Sequence, residues 1–255
     1  MRAPGAESHR GDIEDLDSLR SGAASADGVI HTAFNHDFSK FVANCETDRR
    51  AIEAMGAALV GTNRPFIITS GTGMGARPSG EPATEDTFNA DHANPRKASE
   101  IAGAAVALQG VNVSVVRLPQ VHDPVKQGLI SPLIEVARHK GVSAYVDEGL
   151  NRWLAVHRHD AARLYLLALE KGLACSRYHA VAEEGIALRT IAYVIGHGLD
   201  VPVQRIAAAD APAHFGWLGA FVGVDLPASS ALTQQRLAWR PTGPGLVADL
   251  EAMRY

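Results

Sequence analysis

Three groups of residues have the types and spacing to do chemistry. The first is GTGMGA, residues 71–76, which fits the dinucleotide fingerprint G-x-G-x-x-[GA] and comes after an apolar run. Such a loop holds a pyrophosphate only when a helix begins directly after it, because the phosphates rest on helix N–H groups and the helix dipole. The next nineteen residues, RPSGEPATEDTFNADHANP, cannot form a regular helix. The stretch therefore reads as a loop over an active-site cleft. The second group is histidine. His122 is a candidate general base, because imidazole exchanges protons near neutral pH. His157 and His159 have H-x-H spacing, but an open zinc site needs three protein ligands and no third is evident, so no metal is expected. The third group is a pair of hydroxyls, Ser70 and Thr72, at the end of the run before the glycines. They can hydrogen-bond a substrate carbonyl or alcohol, or bond only within their loop.

The elements that must position these groups alternate. GVIHTAF (28–34), RPFIITSG (64–71), VNVSVVRLP (111–119) and RYHAVAEE (177–184) read as buried strands. Helices are predicted over 45–61, 95–110, 131–141 and 159–172. In the first of these, Ala51, Ile52, Met55, Ala58 and Leu59 fall on one face. Glycines at 110, 141 and 172 stop the other three. Apolar strands alternating with helices predict a parallel sheet covered on both faces, hence a doubly wound α/β fold. After residue 185 the alternation is expected to stop. Residues 185–255, with loops 120–130 and 145–158, read as a small helical substrate-side lobe beside a nucleotide-binding domain over 1–184. The aromatic run HFGWLGAF (214–221) reads as a core helix face of that lobe or the wall of an apolar pocket.

Composition excludes several classes. The 255 residues are 46% hydrophobic and 20% charged, with net charge −4, which suits a sizeable core. No Lys/Arg-rich run exists, so nucleic acid and anionic membranes are not expected partners. The start MRAPGAESHRGD has no apolar signal region, and a soluble, cytoplasmic protein is expected. Cys45 and Cys175 lack redox or metal spacing and read as inert.

Several pieces, taken in order, resemble the extended short-chain dehydrogenases of the NAD-dependent epimerase/dehydratase type. HRGDIEDLDSLRSGAASADGVIHTAF is similar to a strand ending in Gly-Asp, a helix, and a strand ending in a small-residue turn. NCETDRRAIEAM resembles the next helix with its buried Asn, here Asn44. PFIITSG resembles the strand that delivers a catalytic Ser/Thr, VVRLPQVH the Arg-x-Pro-x-Val turn beside the nicotinamide, and AVHRHDAARLYLLALE a Val-His-x-x-Asp helix start. ALTQQRLAWRPT resembles the C-terminal Leu-Gly-Trp-x-Pro element, with Ala238 in place of Gly. The resemblance implies a Rossmann-like fold, an NAD or NADP cofactor and redox or epimerase chemistry on an alcohol, ketone or sugar. It implies that Asp12 accepts from the adenine amino group and that the Ile13 backbone donates to it. It implies that the 32–34 turn (Thr32, Ala33, Phe34) lies along adenosine and pyrophosphate, and that Arg117, Pro119 and Val121 orient the cofactor. Phe34 departs from the usual small residue and either lines the pocket or fills it. A homodimer through the helices at 45–61 and 95–110 is also implied, with a small-molecule substrate.

Two departures qualify this. No glycine-rich loop precedes Asp12, so the sheet is expected to be N-terminally truncated, by on the order of 50 residues for one βαβ unit plus a helix. The strand at 28–34 is then expected to have an open apolar edge, and dinucleotide binding by this chain to be weak or absent. The family's Tyr-x-x-x-Lys pair is missing too: Asn94 and Ala98 stand in its place in NPRKASE, with Lys97 one residue away. Ser70 and Thr72 flank the position of the catalytic hydroxyl, which aligns to Gly71. Without the Tyr they can polarise a carbonyl but not easily pass a proton. The alternatives to an atypical enzyme are a non-catalytic NAD(P) sensor and an inactive truncated remnant.

Overall fold

The computed structural model describes residues 5–76 and 81–255; part of the Pro/Gly-rich loop, residues 77–80, lies outside the described residues. The chain forms two compact units that interleave along the sequence. The first comprises residues 1–70, 90–116 and 168–176, and the second the remainder, including all of 185–255.

The first unit begins irregularly. Residues 8–14 form no strand, unlike the expected HRG strand. Helix α1 (Leu16–Ser25) comes next, started by the Asp15 side chain accepting from the backbone N–H of Asp17 and Ser18. Strand β1 (Val29–His31) pairs in parallel with β2 (Pro65–Gly71), with Val29 opposite Phe66 and His31 opposite Ile68. β1 is the edge strand, and β3 (Asn112–Leu118) lies on the far side of β2. The expected apolar edge is thus cut to three residues, with Ile30 exposed. A very short edge offers little to pair with.

Helices α2 (Phe41–Ala57) and α3 (Lys97–Ala107) cover this sheet. Their backbones approach so closely at Gly56 that an added Cβ would lie 2.4 Å from Val106 Cγ1. Ile52, Leu59, Phe66, Ile68, Val106 and Val113 make the core between helices and strands.

The second unit contains more strands than expected. Strand β4 (Gln120–His122) pairs in parallel with β6 (Arg152–His157), and β6 pairs antiparallel with β8 (Glu183–Ala187). Strand β5 (Ser143–Val146) pairs in parallel with β9 (Val203–Ile206). The segments 145–158 and beyond 185 are therefore not purely loop and helix. Five of the six β6 residues are buried, so the strand shows no alternation to betray it. Strand β7 (Arg177–His179) comes after α5 (Arg158–Lys171), and Ala180 N donates to Arg117 O at the end of β3.

Helices α4 (Ile130–Lys140) and α6 (Leu188–Leu199) share a core of Ile130, Ile134, Trp153, Leu188, Ile191 and Leu250. The aromatic run is not one helix. It breaks into α7 (Ala211–Phe215), a short 3-10 turn and α8 (Gly219–Val222), with Phe215 buried and Trp217 exposed. Helices α9 (Ala231–Leu237) and α10 (Leu246–Ala252) close the chain. No helix among the described residues is long and apolar enough to cross a membrane.

Candidate functional site

In open α/β sheets ligands bind beyond the carboxyl ends of the strands. In the first unit that edge is built on a buried charged network. Asp48 on α2 is 0% exposed. One carboxylate oxygen lies 2.8 Å from His31 Nε2 at the end of β1, and the other accepts from Ser99 Oγ and Arg96 Nη1. Arg96 also donates to Ser99 Oγ and, through Nη2, to the carbonyl of Thr69 on β2 at 3.0 Å. Thr69 Oγ1 in turn donates to the His31 carbonyl at 2.7 Å. Two helices and two strand ends are thus tied through one carboxylate. Burial pushes the Asp48 carboxyl up, but the His31 hydrogen bond and the Arg96 charge outweigh it and hold it below its ordinary range.

The strand-end turn leaves this network directly. Thr32 and Ala33 are exposed and Phe34 is half-buried, its ring centroid 4.2 Å from the Arg96 guanidinium carbon. Asn44 donates to the carbonyls of Asn35 and Asp37 and so fixes the continuation of the turn. Ser70, at the end of β2, is buried, and its hydroxyl has no hydrogen-bond partner among the described residues. Asp12 is exposed and accepts from Glu14 N at 2.9 Å; the cap of α1 is Asp15. Ile13 is half-buried against the core of this unit. Asn94 accepts from Arg96 N at 2.9 Å and shapes the turn into α3, while Ala98 brings no ionisable group.

The second unit holds the other expected residues, and several differ in setting from their expected roles. Arg117 is 0% exposed. Its Nη1 donates to His179 Nε2 at 3.2 Å, which leaves His179 Nδ1–H to donate to the Ser229 carbonyl at 2.8 Å. Arg117 is therefore held in the interior by its hydrogen bond to His179. The hydrogen bonds run on from there: His179 N donates to Thr233 Oγ1, and Thr233 donates to Glu85 Oε1. Pro119 and Val121 are half-buried beside it, Val121 in register with Val156.

His122, the candidate general base, is set against a carboxylate. It is 1% exposed, and its Nδ1 donates to Asp249 Oδ2 at 2.7 Å. The ring keeps its Nε2 without a hydrogen-bond partner among the described residues. It joins α10 to β4, and Glu183 reinforces the joint by accepting from Leu246 N. His157 and His159 sit with ring centroids 5.1 Å apart, and no metal-holding group of three ligands occurs among the described residues.

Within GTGMGA, residues 72–75 form a 3-10 turn rather than a phosphate cradle. Gly75 is required by packing: a Cβ there would meet Arg117 Nη1 at 2.6 Å. Thr72 is buried on this turn.

Sequence reasoning missed His31, Asp48, Arg96 and Ser99. One signal was present. Asp48 sits four residues after Asn44 and three before Ala51, on the buried face of α2, and a charged residue there demands a partner.

No protein-family model matches the chain. Two fungal proteins do. Uncharacterized protein C2A9.02 of Schizosaccharomyces pombe is 48% identical over 100% of this chain and 86% of its own length. Uncharacterized protein YLL056C of Saccharomyces cerevisiae is 42% identical over 98% of this chain and 84% of its own. Among solved structures, the dTDP-glucose 4,6-dehydratase DesIV of Streptomyces venezuelae, with NAD and TYD bound, is similar at a TM-score of 0.74 and 19% identity, covering 96% of this chain and 77% of that one. The UDP-glucose 4-epimerase of Thermus thermophilus, in complex with NAD, is similar at 0.72 and 18%, covering 95% and 82%. These likenesses establish the Rossmann-like fold.

Proposed function

We propose, from the premise that the chain belongs to one family with the two fungal proteins and has the fold of the epimerases and dehydratases, that it is an NAD(P)-dependent oxidoreductase of epimerase-like type with an atypical active site. The observation that carries the reading is the exposed Thr32–Ala33 backbone at the carboxyl end of β1, set immediately after a His31 locked on Asp48. A backbone held that firmly, with small side chains, admits the close approach of a nucleotide.

The first unit suits the adenosine side of such a cofactor. Thr32, Ala33 and Phe34 would line it, Asp12 would accept from the adenine amino group, and the Ile13 backbone would donate. The buried, unpartnered Ser70 hydroxyl fits a ligand oxygen, because an unmade hydrogen bond inside the protein costs about 1–3 kcal/mol. Bound nicotinamide dinucleotide supplies hydride transfer; the protein supplies binding and orientation. The substrate in this reading is an alcohol, ketone or sugar.

A second reading, a non-catalytic NAD(P) sensor, is favoured by Asn94 and Ala98. Asn94 is spent on its turn and neither residue can pass a proton. Two measurements separate the readings. Isothermal titration with NADH and NADPH should give saturable binding, weaker than micromolar; a flat titration to millimolar ligand would sink both. Steady turnover of a carbonyl panel supports the enzyme, and binding without turnover supports the sensor.

A further inference from the structure

We infer that His122 is a proton-operated latch on helix α10: a proton taken up at its Nε2 joins the ring to Glu183 and fastens the helix, and loss of that proton loosens it. The latch lies within the second unit and works whether or not a dinucleotide binds.

Four titratable side chains from four elements make the cluster. His122 is on β4, His157 on β6, Glu183 on β8 and Asp249 on α10. The His122 side chain is 0% exposed, with Nδ1 2.7 Å from Asp249 Oδ2 and Nε2 3.9 Å from Glu183 Oε2. Nδ1–H donates to Asp249 in the neutral and in the charged ring alike. Nε2 changes its role with the proton. In the neutral ring it is an acceptor facing another acceptor, and nothing among the described residues donates to it. In the charged ring it is a donor facing a carboxylate. Glu183 is the partner with room to close the gap, because its side chain is 31% exposed while that of Asp249 is buried.

The charges around the ring set the sign. Asp249 and Glu183 pair only with histidines among the described residues. The nearby arginines are spent elsewhere, Arg158 on Asp123 and Arg163 on Asp160. From α6, which also packs on α10, the shared core takes the apolar Leu188 and Ile191. His157 is the competing base. Its Nε2 is 3.9 Å from Asp249, its ring centroid is 5.7 Å from that of His122, and His159 lies beyond it at 5.1 Å. Two carboxylates thus face the His122 ring, and a proton there meets attraction on both sides.

The same carboxylates hold α10. Glu183 Oε2 accepts from Leu246 N, the first residue of the helix, and Asp249 stands one turn further on. A proton on His122 completes a chain from Leu246 N through Glu183 and His122 to Asp249. The backbone leading into α10 rests on this cluster too. A Cβ at Gly243 would lie 2.6 Å from His157 Cβ, and one at Gly245 would lie 3.0 Å from Glu183 Oε1. A contact made only by the protonated ring is present at low pH and lost as pH rises through the imidazole range, about pH 5 to 8.

The test is hydrogen–deuterium exchange of the full chain across about pH 5 to 8, each rate divided by that of an unstructured amide at the same pH. Protection of the α10 amides should fall about tenfold as pH rises, the order of one hydrogen bond to a charged group. Glu183→Gln keeps an oxygen for Leu246 N but removes the charge that draws the proton, and His122→Gln removes the titrating ring. Both variants should give low, level protection across the window, and either carries the comparison if the other does not fold. A level profile in the wild-type chain would overturn the latch. A fall that persists in His122→Gln would assign the proton to His157 and overturn it. A fall that persists in Glu183→Gln would remove its partner and overturn it equally.

Discussion

Asp48 and Arg96, 48 residues apart in the chain, meet as an ion pair with a fully buried carboxylate that Ser99 and His31 also contact. Breaking such a pair leaves the remaining charge stranded, which costs about 3–5 kcal/mol. Asp48→Asn should therefore lower the urea midpoint and melting temperature sharply. Its pH dependence has a definite sign. The folded-state carboxyl lies below its ordinary value of 3.8, so its contribution is fully present above that value and is lost as pH falls through the lower folded one. The gap in stability between wild type and Asp48→Asn should narrow on going from about pH 6 to about pH 3. A gap constant across that window would contradict the assignment.

Gly75→Ala should destabilise the second unit. The new Cβ would lie 2.6 Å from Arg117 Nη1 and 3.2 Å from Thr84 O, and overpacking of this kind costs about 1–3 kcal/mol. Gly71→Ala is the control, because a Cβ there meets nothing within 4 Å. Thermal melts of the two variants should differ. Equal melting temperatures would show that Arg117 shifts without cost.

Ala238→Gly should stabilise the protein. Ala238 ends α9 at φ +52°, in the left-handed region where an L side chain costs roughly 1–2 kcal/mol. Glycine relieves that strain but loses more freedom on folding, by about 0.5–1 kcal/mol relative to Ala. The net gain should be about 0.5–1 kcal/mol, read as a rise in the urea midpoint. A fall would mean that the chain freedom glycine loses on folding outweighs the relieved backbone strain at this exposed position.

Iodoacetamide should label the two cysteines unequally. Cys45 is buried, and its thiol is pushed up to about 11 by that burial. Cys175 is exposed. Native protein should take one label at Cys175 and the second only in denaturant, as counted by mass spectrometry. Labelling of Cys45 at the native rate of Cys175 would show that α2 opens readily.

The alternating layout, the parallel pairing of β1 with β2 and the helix positions were legible because each rests on local pattern. Apolar runs stand between turn residues, and Gly141 stops α4 in the left-handed conformation. Strand β6 was not legible, because RWLAVH is apolar enough to read as the approach to α5. The charged network was hidden for a different reason. His31, Asp48 and Arg96 belong to a strand, a helix and a turn, and no spacing joins 31, 48 and 96. Only the packing of α2 beside α3 brings them together. His122 shows the converse: the residue was visible, but the Asp249 that encloses it is 127 positions away.

The interleaving of the two units governs the order in which they can be finished during synthesis. The first unit takes its last segment from residues 168–176, and the second has already begun at residue 71. On the ribosome, residues 1–70 emerge with an incomplete set of neighbours and wait through about a hundred further residues before the set closes, at the several residues per second typical of translation. The apolar face of α2 is covered sooner, once α3 and β3 within residues 90–116 have emerged, so the last segment to arrive completes a unit whose core is already laid down.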